Sequence, residues 1–194
     1  MWSISLMLDT GAIVGGTETS RPPAEKAGGA SLSEQEFERL YQQHARPLWG
    51  YLAKMTGDPS LAEDLAQKAF LRFLGTPLKT DEPAALKAFL YRIATNLVYD
   101  HWRKRPEDAT LDRESAKIAS REEDPALRHD MQKLFQILEP RQRALLWLAH
   151  VENLPQRQIA GILGVREGSV RVLLFRARRK FASILQENGY GAAS

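Results

Sequence analysis

The stretch from Leu154 to Phe181, LPQRQIAGILGVREGSVRVLLFRARRKF, decides how this chain is read. Pro155 sits at a first helical turn, Ile159, Ala160 and Leu163 form a short apolar face, and Gly164 closes the turn. Val165 is expected to be buried behind it, and Val170, Leu173, Leu174 and Ala177 restart the apolar period. A short helix, a glycine turn and a longer basic helix make a helix-turn-helix. Arg171, Phe175, Arg176, Arg178 and Arg179 occupy or border the remaining faces of the second helix, where guanidinium forks can meet phosphates and guanine edges. The competing reading is a plain helical hairpin with a solvated basic face.

The distribution of charge along the chain points the same way. The 194 residues carry a formal charge of +3, unevenly spread. Residues 106–125 hold 3 basic and 7 acidic side chains, whereas 126–194 hold 11 basic and 5 acidic. A cationic C-terminal block suits a polyanionic partner, because Lys and Arg that neutralise phosphates release condensed counterions. No apolar run approaches the roughly 18 residues of a membrane span, so no membrane insertion is expected. The absence of Cys excludes disulfides, thiolate catalysis and cysteine-ligated metals, and fits a reducing cytoplasm.

Working back toward the N-terminus, the spacing predicts an all-α chain. Residues 1–30 hold seven Gly and Pro with no sustained period and read as a disordered leader. A secretory signal is disfavoured because no Lys or Arg precedes Arg21; a misassigned start is an equally open reading. Ser33 and Glu36 form a capping box ahead of Phe37, Leu40, Tyr41, Leu48, Leu52 and Met55, a helix that Pro47 should bend or split. Gly57-Asp58-Pro59 ends it and opens a second, whose apolar face is Ala62, Leu65, Ala66, Ala69, Phe70, Phe73 and Leu74. Its other face shows Asp64, Gln67, Lys68 and Leu71. Asp81 and Pro83 start a long helix to about Arg105, with Leu86, Phe89, Leu90, Ile93, Ala94 and Leu97 inward. Residues 106–124 read as a flexible acidic linker. Helix resumes at Pro125, breaks at Glu139-Pro140, and continues through Leu145, Leu148 and Val151. Two small helical domains result.

A second constellation lies on the long helix. Arg92, Asn96, Tyr99 and Arg103 recur at helical steps on a face away from the apolar stripe, with Tyr91, Thr95 and Trp102 adjoining. Rings stack on unpaired bases, an amide reads their edges and cations follow the backbone. Aromatics at this spacing also serve as core or interface. No catalytic signature accompanies them: His44, His101, His129 and His150 stand singly, and no cofactor, metal site or active site is expected. His129-Asp130 alone evokes a metal-dependent phosphohydrolase and reads better as a helix-surface pair.

Five blocks in order carry a resemblance. They are Gly57-Asp58-Pro59, Ala62-Glu63-Asp64-Leu65 followed by Gln67, Phe89 to Ala94 with Asn96, Asp100 with Arg103, and the Leu154 to Lys180 helix-turn-helix. Over about Ser33 to Leu185 the chain resembles the extracytoplasmic-function (ECF) sigma factors of bacterial RNA polymerase. The resemblance implies a transcription-initiation subunit with no active site of its own, working in the cytoplasm. Its domain for polymerase core and the −10 promoter element would span 31–105, and its −35 domain 125–188, leaving a tail at 189–194.

The resemblance also implies roles for particular residues. Asp64, Gln67, Lys68 and Leu71 would dock on the clamp helices of the polymerase largest subunit. Tyr91, Arg92, Asn96, Tyr99 and Arg103 would line the melted −10 strand, with Asn96 beside a flipped base. Arg171, Val172, Phe175, Arg176 and Arg178 would read the −35 element. The implied partners are RNA polymerase core, promoter DNA and an anti-sigma factor. Lys68 stands where the family usually has an acid, which bears on affinity for polymerase; Val172 and Leu173 replace polar residues, so promoter preference cannot be copied from better-known members; and Thr80 lies near where an aromatic often helps the flipped base. Two other functions remain open: a stand-alone helix-turn-helix regulator, which would normally dimerise, and a helical metal-dependent phosphohydrolase.

Overall fold

The computed structural model describes residues 32–78, 80–104 and 125–190, without the side chains of 125–129. The expected leader, 1–30, and linker, 106–124, therefore lie outside the described residues. Seven helices follow in order: α1 (Glu34–Thr56), α2 (Pro59–Leu74), α3 (Pro83–Lys104), α4 (Pro125–Ile137), α5 (Pro140–His150), α6 (Gln156–Leu163) and α7 (Glu167–Glu187). No strand occurs among the described residues.

Local chemistry sets the helix ends. Ser33 Oγ accepts from the Glu36 amide, and the Glu36 carboxylate accepts from the Ser33 hydroxyl at 2.7 Å and its amide at 2.8 Å. These bonds hold the Glu36 carboxyl below its ordinary pKa. Gly57 ends α1 at φ 73°, and Asp58 Oδ1 caps α2 by accepting from Ser60 and Leu61. Pro47 does not split α1: the helix runs through it to Thr56. The helix is 23 residues long and packed on a core, so the hydrogen bond missing at Pro47 is outweighed. Pro155 stands just before α6 as its N-cap rather than within its first turn.

The α1–α3 domain packs Leu48, Leu52, Phe70, Phe73, Leu90 and Ala94 into a core. One polar chain crosses it. Tyr51 Oη lies 2.7 Å from Thr95 Oγ1, which donates to the Tyr91 carbonyl at 2.7 Å. Thr95 has one proton, so Tyr51 must be the donor to Thr95. In the second domain Leu138, Leu145, Leu148, Ile159, Val170 and Ala177 are buried, and Phe135 meets Phe181 edge-on across α4 and α7. Two apolar expectations fail. Leu74 is exposed, because one 100° step past Phe73 turns it outward, and Val151 lies beyond the last residue of α5 and is exposed; Val165, like Phe89, Ile93 and Leu173, is half-buried against the core rather than fully buried.

The two domains pack on each other, α3 against α6 and α1 against α4 and α5. Near the end of α1, the buried Arg143 donates from Nη1 to the Met55 carbonyl at 2.8 Å and to Gln136 Oε1, and its guanidinium lies 5.4 Å from the Trp102 ring. Gln136 Nε2 donates to the Lys54 carbonyl. At the other side Lys87 Nζ pairs with Glu152 Oε2 at 3.0 Å, and Trp147 Nε1 donates to Glu152 Oε1 at 3.1 Å.

The direction of the buried hydrogen-bond chain makes a stability prediction. Tyr51→Phe removes a donor while Thr95 keeps its carbonyl, and should cost about 0.5–1.5 kcal/mol in urea unfolding. Thr95→Val strands the Tyr51 hydroxyl without an acceptor and should cost more, about 1–3 kcal/mol. The reverse order would show that the donor assignment is wrong.

Candidate nucleic-acid interface

Gly164 makes the turn between α6 and α7 possible. Its φ is 62°, and an added Cβ would meet nothing within 4 Å, so backbone conformation rather than space requires glycine. The turn lets Val170, Leu174 and Ala177 face the core and leaves Arg171, Val172, Phe175, Arg176 and Arg178 all exposed. Val172 is 50% and Phe175 58% exposed, surface that the fold does not use. The Arg179 guanidinium lies 5.8 Å from the Phe175 ring, a cation–π contact that stiffens the pair. Arg178 Nε donates to His150 Nε2 at 3.0 Å, which ties it to the end of α5. The surface can present forks to base edges and phosphates and apolar groups to thymine methyls.

On α3 the expected group divides. Arg92, Asn96 and Arg103 are exposed; Arg92 lies over the Phe89 ring at 5.1 Å, and Arg103 pairs with Asp100 at 2.7 Å. Tyr99 is half-buried, its ring centre 5.9 Å from that of Trp102, and burial raises its phenol pKa despite the nearby Arg141 and Arg143 cations. Tyr91 does not join this face. It is fully buried with its ring centre 5.3 Å from that of Tyr51, and burial, with Glu152 close by, pushes its phenol well above the ordinary range. The cause is geometric: Leu90, Ala94 and Leu97 face the first domain, while Tyr91, Thr95 and Val98 widen the buried arc by 100°.

On α2, Asp64, Lys68 and Leu71 are exposed and Gln67 is half-buried, all on one face, with Leu71 56% exposed. Beside this face an open groove of about 510 Å³ runs between α1 and α2, floored by Tyr41, Trp49, Ala66 and Phe70 and rimmed by Arg46 and Gln67. Periodicity marks Tyr41 and Phe70 only as core and does not mark Trp49. No candidate metal-ligand cluster occurs among the described residues, and Asp130 accepts from Tyr190 Oη at 3.1 Å.

The sequence matches Sigma-70 region 2 over residues 40–106, which takes in most of α1 and all of α2 and α3, and Sigma-70 region 4 over residues 128–181. It is 31% identical to the ECF RNA polymerase sigma factor SigL of Mycobacterium tuberculosis, over 84% of this chain and 97% of SigL. The chain belongs to the ECF sigma factor family.

A further relative, the ECF RNA polymerase sigma factor SigE of Mycolicibacterium smegmatis, is 30% identical over 84% of this chain; the match spans 66% of SigE. Among solved structures, the sigma factor RpoE of Bartonella quintana, in complex with the anti-sigma factor NepR, matches with TM-score 0.66 and 21% identity, covering 78% of this chain and 98% of that one. At that identity the likeness is one of fold.

The residues missed in this sigma factor are those between its domains. Arg143, flanked by Arg141 and Gln142, looks like one more solvated charge. Its signal was its place against Ala144-Leu145-Leu146, where all three neighbours are buried. Glu152 gives no comparable signal, because its burial depends on Lys87, 65 residues away.

The split of the α3 group is measurable. Asn96→Ala should change unfolding free energy by no more than about 0.5 kcal/mol, as exposed substitutions do, whereas Tyr91→Ala should cost about 3–5 kcal/mol. Equal costs in urea titration would assign Asn96 to packing.

Proposed function

We propose that this sigma factor joins RNA polymerase core and directs it to promoters, where one domain holds melted −10 DNA and the other reads the −35 duplex. The observation that carries this reading is the pair of family regions, in order, on two helical domains, with the exposed basic α7 on the second. The working boundaries are 31–105 and 125–188, with the acidic segment 106–124 between them.

The parts divide by chemistry. The α2 face of Asp64, Gln67, Lys68 and Leu71 offers charge, amide and apolar contacts suited to a helical partner on polymerase, and the adjoining groove extends it. Asn96, between Arg92 and Arg103, is placed to hydrogen-bond the edge of an unstacked base while the arginines follow phosphates. On α7, Arg171 and Arg176 are candidates for bidentate readout of guanine, and Val172 and Phe175 for thymine methyls. Arg178, engaged with His150, is better placed for a phosphate than for a base. The chemistry of bond formation belongs to polymerase, and the chain works beside it in the cytoplasm. An anti-sigma factor suits the chain, as RpoE has one in its complex with NepR.

Gel filtration with core polymerase tests the reading: the chain should co-elute with core and support transcription from selected promoters. A chain that ignores core and binds a duplex tightly as a dimer would be a stand-alone regulator. With core present, Arg171→Ala and Arg176→Ala should each relax −35 discrimination by about 1–3 kcal/mol. A uniform loss on every promoter, with a salt slope shallower by about one unit, would move these residues from readout to positioning.

A further inference from the structure

His150 stands alone in the sequence, and the structure gives it a partner. It is the last residue of α5, exposed, and its Nε2 accepts from Arg178 Nε on α7 at 3.0 Å. Nε2 accepts only when it carries no proton, so the ring proton of the neutral imidazole sits on Nδ1, where it is available as a second donor. The bond takes only Nε of Arg178 and leaves the Nη hydrogens of the guanidinium to donate elsewhere. Arg178 follows Arg171 and Phe175 on the same exposed side of α7, about 10.5 Å beyond Arg171 along the helix axis.

Two observations separate this contact from surface packing. Helices α5 and α7 already pack on each other, with Leu145, Leu148, Val170, Leu174 and Ala177 buried, so the fold does not depend on a bond between two exposed side chains. Among the described residues no carboxylate pairs with Arg178; the ion pairs are Lys87 with Glu152 and Arg103 with Asp100. A carboxylate in the place of His150 would hold the guanidinium and neutralise it. An imidazole holds it and leaves its charge for another anion, and the negative end of the α5 dipole favours a cation here.

We propose that His150 and Arg178 together bind one phosphate of the −35 duplex, with His150 orienting the guanidinium and adding its Nδ1 hydrogen as a donor to the same phosphate. The proposal rests on reading α7 as the helix that enters the DNA groove, and it extends the DNA-contacting surface onto the end of α5. An arginine held in advance loses less rotamer freedom when it meets a phosphate than one that is free. The site carries no sequence information of its own. Because α5 and α7 share one core, it fixes where the backbone lies relative to Arg171 and Arg176, which are left to read base edges.

The test uses holoenzyme on duplexes with favoured and mismatched −35 sequences. Arg178→Ala should weaken binding about tenfold and His150→Ala about three- to tenfold, each by the same factor on every −35 sequence. His150→Gln, whose amide offers an acceptor to Arg178 and a donor to the phosphate, should stay within about twofold of the parent chain. The variant carrying both alanines should bind less than about twofold more weakly than Arg178→Ala, well short of the product of the two losses. Replacing duplex phosphates one at a time by neutral methylphosphonate locates the site: at a single position both alanine variants should lose their effect. Unchanged binding by His150→Ala, a loss confined to particular −35 sequences, a glutamine variant as weak as the alanine one, losses that multiply, or effects that vanish at different phosphates would each overturn the shared site. The free chain on mixed-sequence duplex at low salt gives the same comparison without polymerase, because phosphates are common to every duplex. Failure of the holoenzyme to prefer any −35 sequence would sink the sigma reading, and the free-chain series would still decide whether His150 and Arg178 hold a phosphate together.

Discussion

The buried Arg143 guanidinium is the constraint around which the two domains are arranged. It is 3% exposed, and a charge so placed is tolerable only where hydrogen bonds and a second source of negative potential surround it. Met55 supplies a carbonyl near the C-terminal end of α1, where the helix dipole is negative, Gln136 supplies an amide oxygen, and Trp102 supplies a ring face. These four residues come from four different helices, α1, α3, α4 and α5. Gln136 acts twice, since its amide nitrogen also satisfies the carbonyl of Lys54, in the last turn of α1. Gly57 belongs to the same arrangement: a side chain there would approach Gln136 to 3.3 Å as well as strain a positive φ.

Much of each domain was legible in the sequence, because its signals are local. The capping box at Ser33, the Gly57-Asp58-Pro59 break and the Gly164 turn each act within a few residues, and each sits where it was read. Helix α7 was legible for a related reason: its buried and exposed faces alternate at a single period, so exposed Arg171 and Phe175 follow from buried Val170 and Leu174. α3 breaks that logic. It is covered from two sides, and an amphipathic pattern describes only one, so Tyr91 and Thr95 look outward in sequence and lie inside the molecule. Pro47 differs in that, of the two outcomes a local rule allows, a split does not occur, because packing along the rest of α1 outweighs the missing hydrogen bond.

Unused apolar surface separates folding from recognition here. Val172, Phe175 and Leu71 are each at least half exposed, and none of the three is needed to complete the core. Exposed apolar residues scattered singly need no explanation. Val172 and Phe175 are different because they lie among Arg171, Arg176 and Arg179, where apolar surface beside guanidinium groups makes a mixed face of the kind that suits a DNA groove. Leu71 is different because it shares a helix face with Asp64 and Lys68, the mixture expected of a protein-facing surface with a small apolar centre.

The composition of the contact between the domains bears on how the molecule is used. An apolar seam of the same extent would resist opening, since every separated pair would expose surface at roughly 25 cal/mol per Å² with no compensation. Polar groups behave otherwise: Arg143, Glu152 and Lys87 exchange protein partners for water, and the net energy of each bond is small even though leaving one unmade within the closed interface is costly. The contact holds both kinds of group, since Tyr91 and Val98 of α3 and Ile159 and Ile162 of α6 are buried in one continuous core, so its polar bonds add specificity to an apolar seam that resists opening. The residues that hold it are also not those assigned to α2 docking or to α7 reading. The exposed faces of α2 and α7 thus stand clear of the contact, whereas the Tyr91, Tyr99 and Trp102 side of α3 lies within it, so the helix that completes the first core also seats the second domain.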